Sequence, residues 1–246
     1  SCFSAYGIRQ RTANSSLHSS LIENSLAQLH RHTLKSLSAL NKNNNKEWFE
    51  KNRKTYEAVR EDFIGIVSAI INNVSAFDPS IAQQDARKCL FRINRDIRFS
   101  KNKVPYKNNI GAFISKGGKN TPLAGYYMHI QPGEIFIAGG IWMPEAPILA
   151  KIRQEVDYNF SEFKKIVESK PFKKTYGKLD MEGKLSRPPK NYDPENPAIE
   201  YLKLKSFVAV AKLDEATLSK GNYVKKASTS FKTLYPLISF LNRAVE

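Results

Sequence analysis

The sequence predicts an α+β fold: an antiparallel sheet, a mid-chain meander plus a later strand, flanked by N-terminal and C-terminal amphipathic helices. Three observations lead there. Segments rich in aromatic and β-branched residues gather in mid-chain, at "NIGAFIS", "GYYMHIQ" and "EIFIAGGIW". Apolar residues at helical spacing frame them on both sides. Strands and helices fall into separate blocks instead of alternating, and no internal repeat is present.

Taken in order, residues 1–32 read as a leader or disordered extension, rich in Ser and dotted with Arg but without the apolar stretch of a secretory signal. Residues 33–246 read as a single domain. Leu34, Leu37 and Leu40 form a short helical face that the run Asn43-Asn44-Asn45 breaks. Asn44 with Glu47 resembles a capping box, and either Asn44 or Asn45 can be the N-cap. Phe49, Tyr56, Val59, Phe63, Ile66, Ile70 and Val74 then mark one long amphipathic helix, ended by Asp78-Pro79. "KCLFRI" reads as a short strand. Gln131-Pro132-Gly133-Glu134 is a type II turn between two strands of the meander, with Pro and Gly at its centre. "PEAPILAKIRQEV" and "NFSEFKKIVES" are helices, and "SRPPKNYDPENP" is a loop. "AIEYLKL" is helical, with Asn196 as cap and Pro197 at the first helical position. "KSFVAVAKL" is a strand, and "NYVKKASTSFKTLYPLISFLNRAV" is a closing helix that Pro236 should kink.

The chain has 246 residues and is 41% hydrophobic, with 14 Phe and 11 Tyr, enough for a sizeable core. No apolar run approaches a membrane span. The two cysteines, Cys2 and Cys89, lie far apart and suggest no disulfide framework, so a reducing, cytoplasmic setting is expected. No group of His, Cys and carboxylates has metal-ligand spacing, and neither phosphate-loop nor dinucleotide glycine motif is present, so no metal or cofactor is expected. Net charge is +16. Three arginines and one glutamate in residues 1–32 contribute +2 of it, which leaves +14 on the body. Charge of that size draws polyanions without naming one.

The charge concentrates in "RINRDIRFSKNKVPYK", residues 92–107, where Arg92, Arg95, Arg98, Lys101, Lys103 and Lys107 surround one acid, Asp96. A strand ending near Ile93 and then a turn are expected, since Asn94 and Asp96 favour turns. Asp96 can take two bonds from one arginine and orient it. Nearby cations lower a carboxyl pKa, which suits a general base poorly. The reading is therefore an anion site of Arg92, Arg95, Arg98, Lys103, Tyr106 and Lys107, with Asp96 orienting. The alternative is a solvated loop whose arginines pair with acids elsewhere.

The pattern R-x-x-R-D-x-R-F-x-x-x-K-x-x-Y, matched by Arg92, Arg95, Asp96, Arg98, Phe99, Lys103 and Tyr106, resembles the signature of a bacterial family catalogued as domain of unknown function 2461. "NNNKEWFEKNRKTYE", "GYYMHIQPGEIFIAGGIW" and "NPAIEYLKLKSF" are similar to further segments of it, so the resemblance spans about residues 33–246. It implies no activity, because the family has no established one. It does favour a binding role for the cluster over a solvated loop. Two departures are visible: Asn191 where relatives tend to have Gly, and Asn196 where relatives often carry His. Asn tolerates the left-handed backbone, so a turn can survive at Asn191.

His129 is the one histidine of the body that is far from the leader. It reads as a hydrogen-bonded sheet histidine, and as an acid–base group only if its face overlooks the basic cluster. Asp96, Tyr106 and His129 are thus the candidate catalytic residues. Gly139-Gly140 suggests a bulge or a close backbone approach, and Trp48 and Trp142 read as core positions. "SKGGKN" has adjacent glycines between lysines and could cradle a phosphate, but without either glycine motif it reads as a hairpin loop. Arg187 and Lys190 either extend the pocket or sit on a solvated loop.

Three functions follow. The first is a site for a phosphorylated or otherwise anionic small molecule, which needs a concave pocket with the cluster inside it. The second is a nucleic-acid-binding module, which needs the cluster on an open face continuous with Phe113, Tyr126, Tyr127 and Phe136. The third is a structural ion-pair network with function at a protein interface.

Overall fold

The computed structural model describes residues 32–219 and 221–246. The leader expected over residues 1–32 therefore lies outside the described residues, His32 excepted. Helix α1, residues 32–42, buries Leu37 and Leu40 and stops at the asparagine run. That run divides its work. Asn45 caps α2 (Lys46–Lys51) by accepting the Trp48 N–H at 2.9 Å. Asn44 reaches instead to the backbone of Tyr106, donating to its carbonyl at 2.9 Å and accepting its N–H at 3.1 Å.

The single long helix expected from Phe49 onward is two. Asn52 donates to the Trp48 carbonyl at 2.9 Å, and its ψ of 11° breaks the helix before α3 (Arg53–Ser75). An Asn side chain competes with the backbone for the carbonyls of the preceding turn, which is why a long apolar stripe did not carry the helix through. Helix α3 buries Val59, Phe63, Ile66, Ile70 and Val74. Asp78 then caps a 3₁₀ turn at Pro79–Ile81 and accepts the Tyr126 hydroxyl at 2.8 Å. Both side chains are buried, so the end of α3 is fastened to the sheet. Burial, with Asp78 beside it, pushes the Tyr126 hydroxyl far above its ordinary pKa and keeps it a donor.

"KCLFRI" is not a strand. Asp85 caps a helical turn, α4 (Ala86–Cys89), and only Leu90 bridges to the sheet, at Ala112. The sheet itself is β1 (Ile110–Ile114), β2 (Gly125–Gln131), β3 (Glu134–Ile141) and β4 (Phe207–Leu213), antiparallel in the order β1-β2-β3-β4. The two-residue turn Pro132-Gly133 pairs Gln131 with Glu134, and Gly133 takes the φ of 79° that a type II turn requires. That register sets His129 opposite Phe136 and Tyr127 opposite Ala138. The bridges Leu90–Ala112 and Leu179–Ala209 cover the two outer strands, which would otherwise present unpaired edges.

The remaining helices are α5 (Ala146–Tyr158), α6 (Phe160–Val167), α7 (Lys170–Tyr176), α8 (Ile199–Leu202), α9 (Glu215–Ser219) and α10 (Tyr223–Val245). Helix α8 begins two residues beyond Pro197. Asn196 spends its side chain on the Ala198 N–H (2.8 Å) and on Asp157 (2.6 Å), which holds the chain in a turn first. Helix α10 stays continuous through Pro236 and is the hub of the helical layer, packed on α3, α5, α6, α7 and β3. Tyr126 meets Phe231 at 5.0 Å between ring centroids. A Cβ on Gly139 would lie 2.3 Å from Leu234 Cδ2, so the missing side chain is what lets α10 approach β3. Gly140 has φ 122°, and a Cβ there would lie 1.9 Å from the Phe207 carbonyl oxygen. The close approach expected at this glycine pair is thus made by α10 and β4.

The face of the sheet bearing Met128, Tyr126, Ile137 and Ala211 is covered by this layer. The opposite face carries Phe113, Tyr127, His129, Phe136 and Val210 and floors a groove. Among the described residues no helix is long and apolar enough to cross a membrane. Gly140→Ala should lower stability by about 2 kcal/mol or more, from backbone strain together with overpacking. Urea denaturation of the variant beside Gly133→Ala, whose Cβ would meet nothing within 4 Å, separates the packing cost from the positive-φ cost.

Candidate functional site

The basic segment is a long arm closed at its base. Asn94 bridges to Tyr106, Arg95 N–H donates to the Pro105 carbonyl (2.9 Å), and Lys107 N–H donates to the Ile93 carbonyl (2.8 Å). The reversal expected at Asn94 comes beyond Ile97, whose carbonyl accepts the Ser100 N–H. Tyr106 is buried and stacks on Phe49 at 4.1 Å and 20°. With Leu40 and Ile93 these rings make a small second core, set apart from the main one. Together with the Asn44 clasp, it pins the arm to α2.

The tip of the arm is stitched by its own charges. Arg98 donates to both oxygens of Asp96, at 3.0 and 2.7 Å. That bond holds the Asp96 carboxyl below the ordinary carboxylate range, so it stays ionised at neutral pH. Lys103 Nζ donates to the carbonyls of Ile97 (3.0 Å) and Arg98 (3.5 Å). Arg98 also lies over Phe99, which is 96% exposed.

The cluster residues therefore separate. Arg98, Asp96 and Lys103 build the tip, and Tyr106 builds the base. Arg92 turns into one depression, while Arg95 and Lys107 line the groove over the sheet. Arg95 also donates to the Val104 carbonyl at 3.3 Å. Lys119, on the β1–β2 hairpin, joins Arg92 and Lys107. Lys107 and Lys119 stand 5.6 and 5.8 Å from the centre of the Phe91 ring. Burial, then Arg92 and Lys119, push the Lys107 ammonium below its ordinary pKa. Among the described residues none of these three cations forms an ion pair with a carboxylate, and Asp96, whose carboxyl feels the Arg92 charge, is bound to Arg98. Lys119 donates to the Leu90 carbonyl at 2.7 Å, and Arg92 makes no hydrogen bond.

Two concavities meet at Phe91 and Lys119, which line both. The first is a basic depression of about 720 Å³ between α2, α3 and the arm, with Lys46, Arg53, Arg60, Arg87 and Arg92 on its walls. Some of that charge is balanced: Arg53 pairs with Glu50 at 2.6 Å, and Arg87 takes both oxygens of Glu61 at 2.7 Å. The second is an open groove of about 1240 Å³ over the free sheet face, walled by the arm, the β1–β2 hairpin and the β3–α5 connection.

The groove floor is a chain of rings. Phe91 meets Tyr127 at 6.0 Å, Tyr127 meets Phe136 at 5.8 Å, and Phe136 stacks on His129 at 4.5 Å and 13°. His129 is 8% exposed. Its Nδ1 bonds the Tyr127 hydroxyl at 3.0 Å, while its Nε2 is buried and Gln131 lies beside the ring, opposing part of the effect of burial. Burial pushes the imidazole below its ordinary value of 6.5, so it is neutral at pH 7.

Trp142, expected in the core, is 78% exposed on the groove wall. The next residue, Met143, has φ 45° and donates its N–H to Ser206 Oγ at 2.8 Å, so the chain turns at once after β3 and carries the indole outward. Tyr126, counted among the sheet aromatics, lies on the covered face. "SKGGKN" is the hairpin loop, with Gly118 at φ 80°. Arg187 and Lys190 are exposed and line neither concavity. Of the candidate catalytic residues, Asp96 and His129 line the groove and Tyr106 the depression, so they do not surround one point. No three His, Cys, Asp or Glu side chains gather as a metal site among the described residues.

Lys119 and Phe91 are the site residues that sequence reasoning missed. Phe91 had a signal, since it is the one aromatic next to Arg92. Lys119 had one too, in the paired glycines and lysines of "SKGGKN", whose reading as a phosphate cradle gave way to a plain hairpin loop for want of a phosphate-loop motif.

Because the unfolded chain binds a proton at His129 more readily than the folded one, stability should fall as pH drops below 6.5. The contribution is at most about 1.4 kcal/mol by pH 5.5. Urea midpoints at pH 7.5 and 5.5 should show that drop in the wild type and a smaller one in His129→Gln.

The family model described as "Conserved hypothetical protein (DUF2461)" matches residues 32–240. Searches of the curated proteins and of the solved structures find no match. The match spans most of the chain and takes in α1, the basic arm, the sheet and nearly all of α10. The chain therefore belongs to the DUF2461 family.

Proposed function

We propose that the protein binds a phosphorylated or otherwise anionic small molecule at the seam of the two concavities, with Arg92, Lys107 and Lys119 as its ligands. The observation that carries this reading is that, among the described residues, none of these three cations forms an ion pair with a carboxylate, although Lys107 is half-buried beside the other two; Asp96, the acid whose charge Arg92 feels, is bound to Arg98. Burial and like charge both oppose the ammonium form of Lys107. An anion between the three offsets both costs, and charge-assisted bonds to phosphate or carboxylate are strong where water is partly excluded. Arg95 lies at the groove mouth and can take a second anionic group. Asp96, Arg98, Lys103 and Tyr106 serve the site through the arm's shape.

A second reading is a nucleic-acid-binding module. It is favoured by the half-exposed Phe113, Tyr127 and Phe136 on a face continuous with the cations. The ion-pair-network reading finds support in Asp96–Arg98 alone within the arm. We place the protein in a reducing, cytoplasmic setting on its cysteine usage. Cys89 is a buried free thiol whose pKa burial raises to about 11.

Titration calorimetry with inorganic phosphate, ribose 5-phosphate and glycerol 3-phosphate at near-physiological salt tests the anion site. Arg92→Ala and Lys107→Ala should each weaken the best binder about ten-fold or more, with thermal midpoints close to wild type. Arg98→Ala should loosen the arm and act less on affinity. Folded Arg92→Ala and Lys107→Ala proteins that both bind as wild type does would sink the reading.

A further inference from the structure

We infer that the groove over the free sheet face seats a flat heteroaromatic ring joined to that anion, so that the ligand is a nucleotide, free or within a single strand. The inference rests on the anion site proposed above and adds what the rest of the ligand must be.

The first reason is continuity. Lys107 and Lys119 flank the Phe91 ring, and the chain Phe91–Tyr127–Phe136–His129 runs from that ring along the groove floor. A phosphate held at the seam has the edge of a stacking surface as its neighbour. The second reason is exposure. Phe91 is 39% exposed and Tyr127 and Phe136 are half-buried, on a face that none of the described helices covers. Bases stack on such exposed rings whatever their identity, because every base has a flat aromatic face.

The third reason is polarity. His129 lines the groove with its ring and is more than nine-tenths buried, with Gln131 beside it on the same face. Asn109, Asn120 and Asp180 line the same groove. An aliphatic or lipid-like occupant would strip water from these side chains and offer no hydrogen bond in return, at a cost for each. The edge of a nucleobase carries donors and acceptors around a flat, stackable ring. Trp142 on the wall adds a further ring for a second base or the far side of the first.

The test is calorimetric titration with ribose 5-phosphate, the four ribonucleoside monophosphates and a uridine hexamer, at near-physiological salt. Wild type, Arg92→Ala, Phe91→Leu and Phe136→Leu are compared, each with a thermal melt. At least one monophosphate should bind about ten-fold or more tighter than ribose 5-phosphate. Phe91→Leu should narrow that ratio to about three-fold or less, and it replaces a ring that is not part of the core. Should the hexamer instead outbind every monophosphate, with the same loss in Phe91→Leu, the ring comes from a single strand and the inference holds.

Equal binding of ribose 5-phosphate and all nucleotides, weakened alike by Arg92→Ala, overturns the ring site and leaves the anion site standing. A preference that survives both Phe91→Leu and Phe136→Leu places the base outside the groove and also overturns it. Indifference of every ligand to Arg92→Ala removes the anion site, and this inference with it.

Discussion

Among the described residues the helices cover only one face of the four-stranded sheet, and the position of the groove follows from that. Side chains of a strand alternate between faces, so Tyr126, Met128 and Ile130 enter the core while Tyr127, His129 and Gln131 must point the other way. Helix α10 fills the first face closely, helped by the bare backbone at Gly139. The second face is left to three connecting segments, which wall it without closing it. An aromatic floor with connecting segments at its rim is how a scaffold offers a site without giving up its core.

The basic arm solves a separate problem, the repulsion among its own cations. Its base is fixed by apolar stacking and by an amide, Tyr106 on Phe49 and Asn44 on the Tyr106 backbone, neither of which depends on charge. Its tip uses two of the cations as internal struts, Arg98 on Asp96 and Lys103 on carbonyls. The signature residues therefore divide between building the arm and facing outward from it. Arg92 is the one that ends beside Lys107 and Lys119 without an ion pair of its own, since the nearby Asp96 is bound to Arg98, and there the remaining repulsion is concentrated. Like charges held together by unrelated contacts are poised for an anion, because the fold has already met the cost of gathering them.

Much of the architecture was legible from local pattern. The period-two alternation of "GYYMHIQ" and the Pro-Gly turn gave the two-faced hairpin, and the turn's two-residue length sets Phe136 opposite His129. Helix ends were read less well where a side chain had two suitors. Asn44, Asn45 and Asn52 are chemically alike, yet one clasps the arm, one caps α2 and one interrupts the helical stripe. Which backbone group an Asn meets depends on what the fold brings near it. Trp142 shows the same limit: its apolar composition suggested burial, but the left-handed turn at Met143 swings it out.

By itself the sequence determined the α+β class, the register of the β2–β3 hairpin, and the presence of a dense basic segment around one carboxylate. These are set by neighbours in the chain, through propensity, alternation and turn geometry. Only the tertiary structure decided which cations keep their charge free. Asp96 took Arg98 rather than Arg92 or Arg95, and the β1–β2 hairpin brought Lys119 from a distant loop to Phe91. Electrostatic energy depends on separation in space and on exclusion of water, and neither is encoded in spacing along the chain.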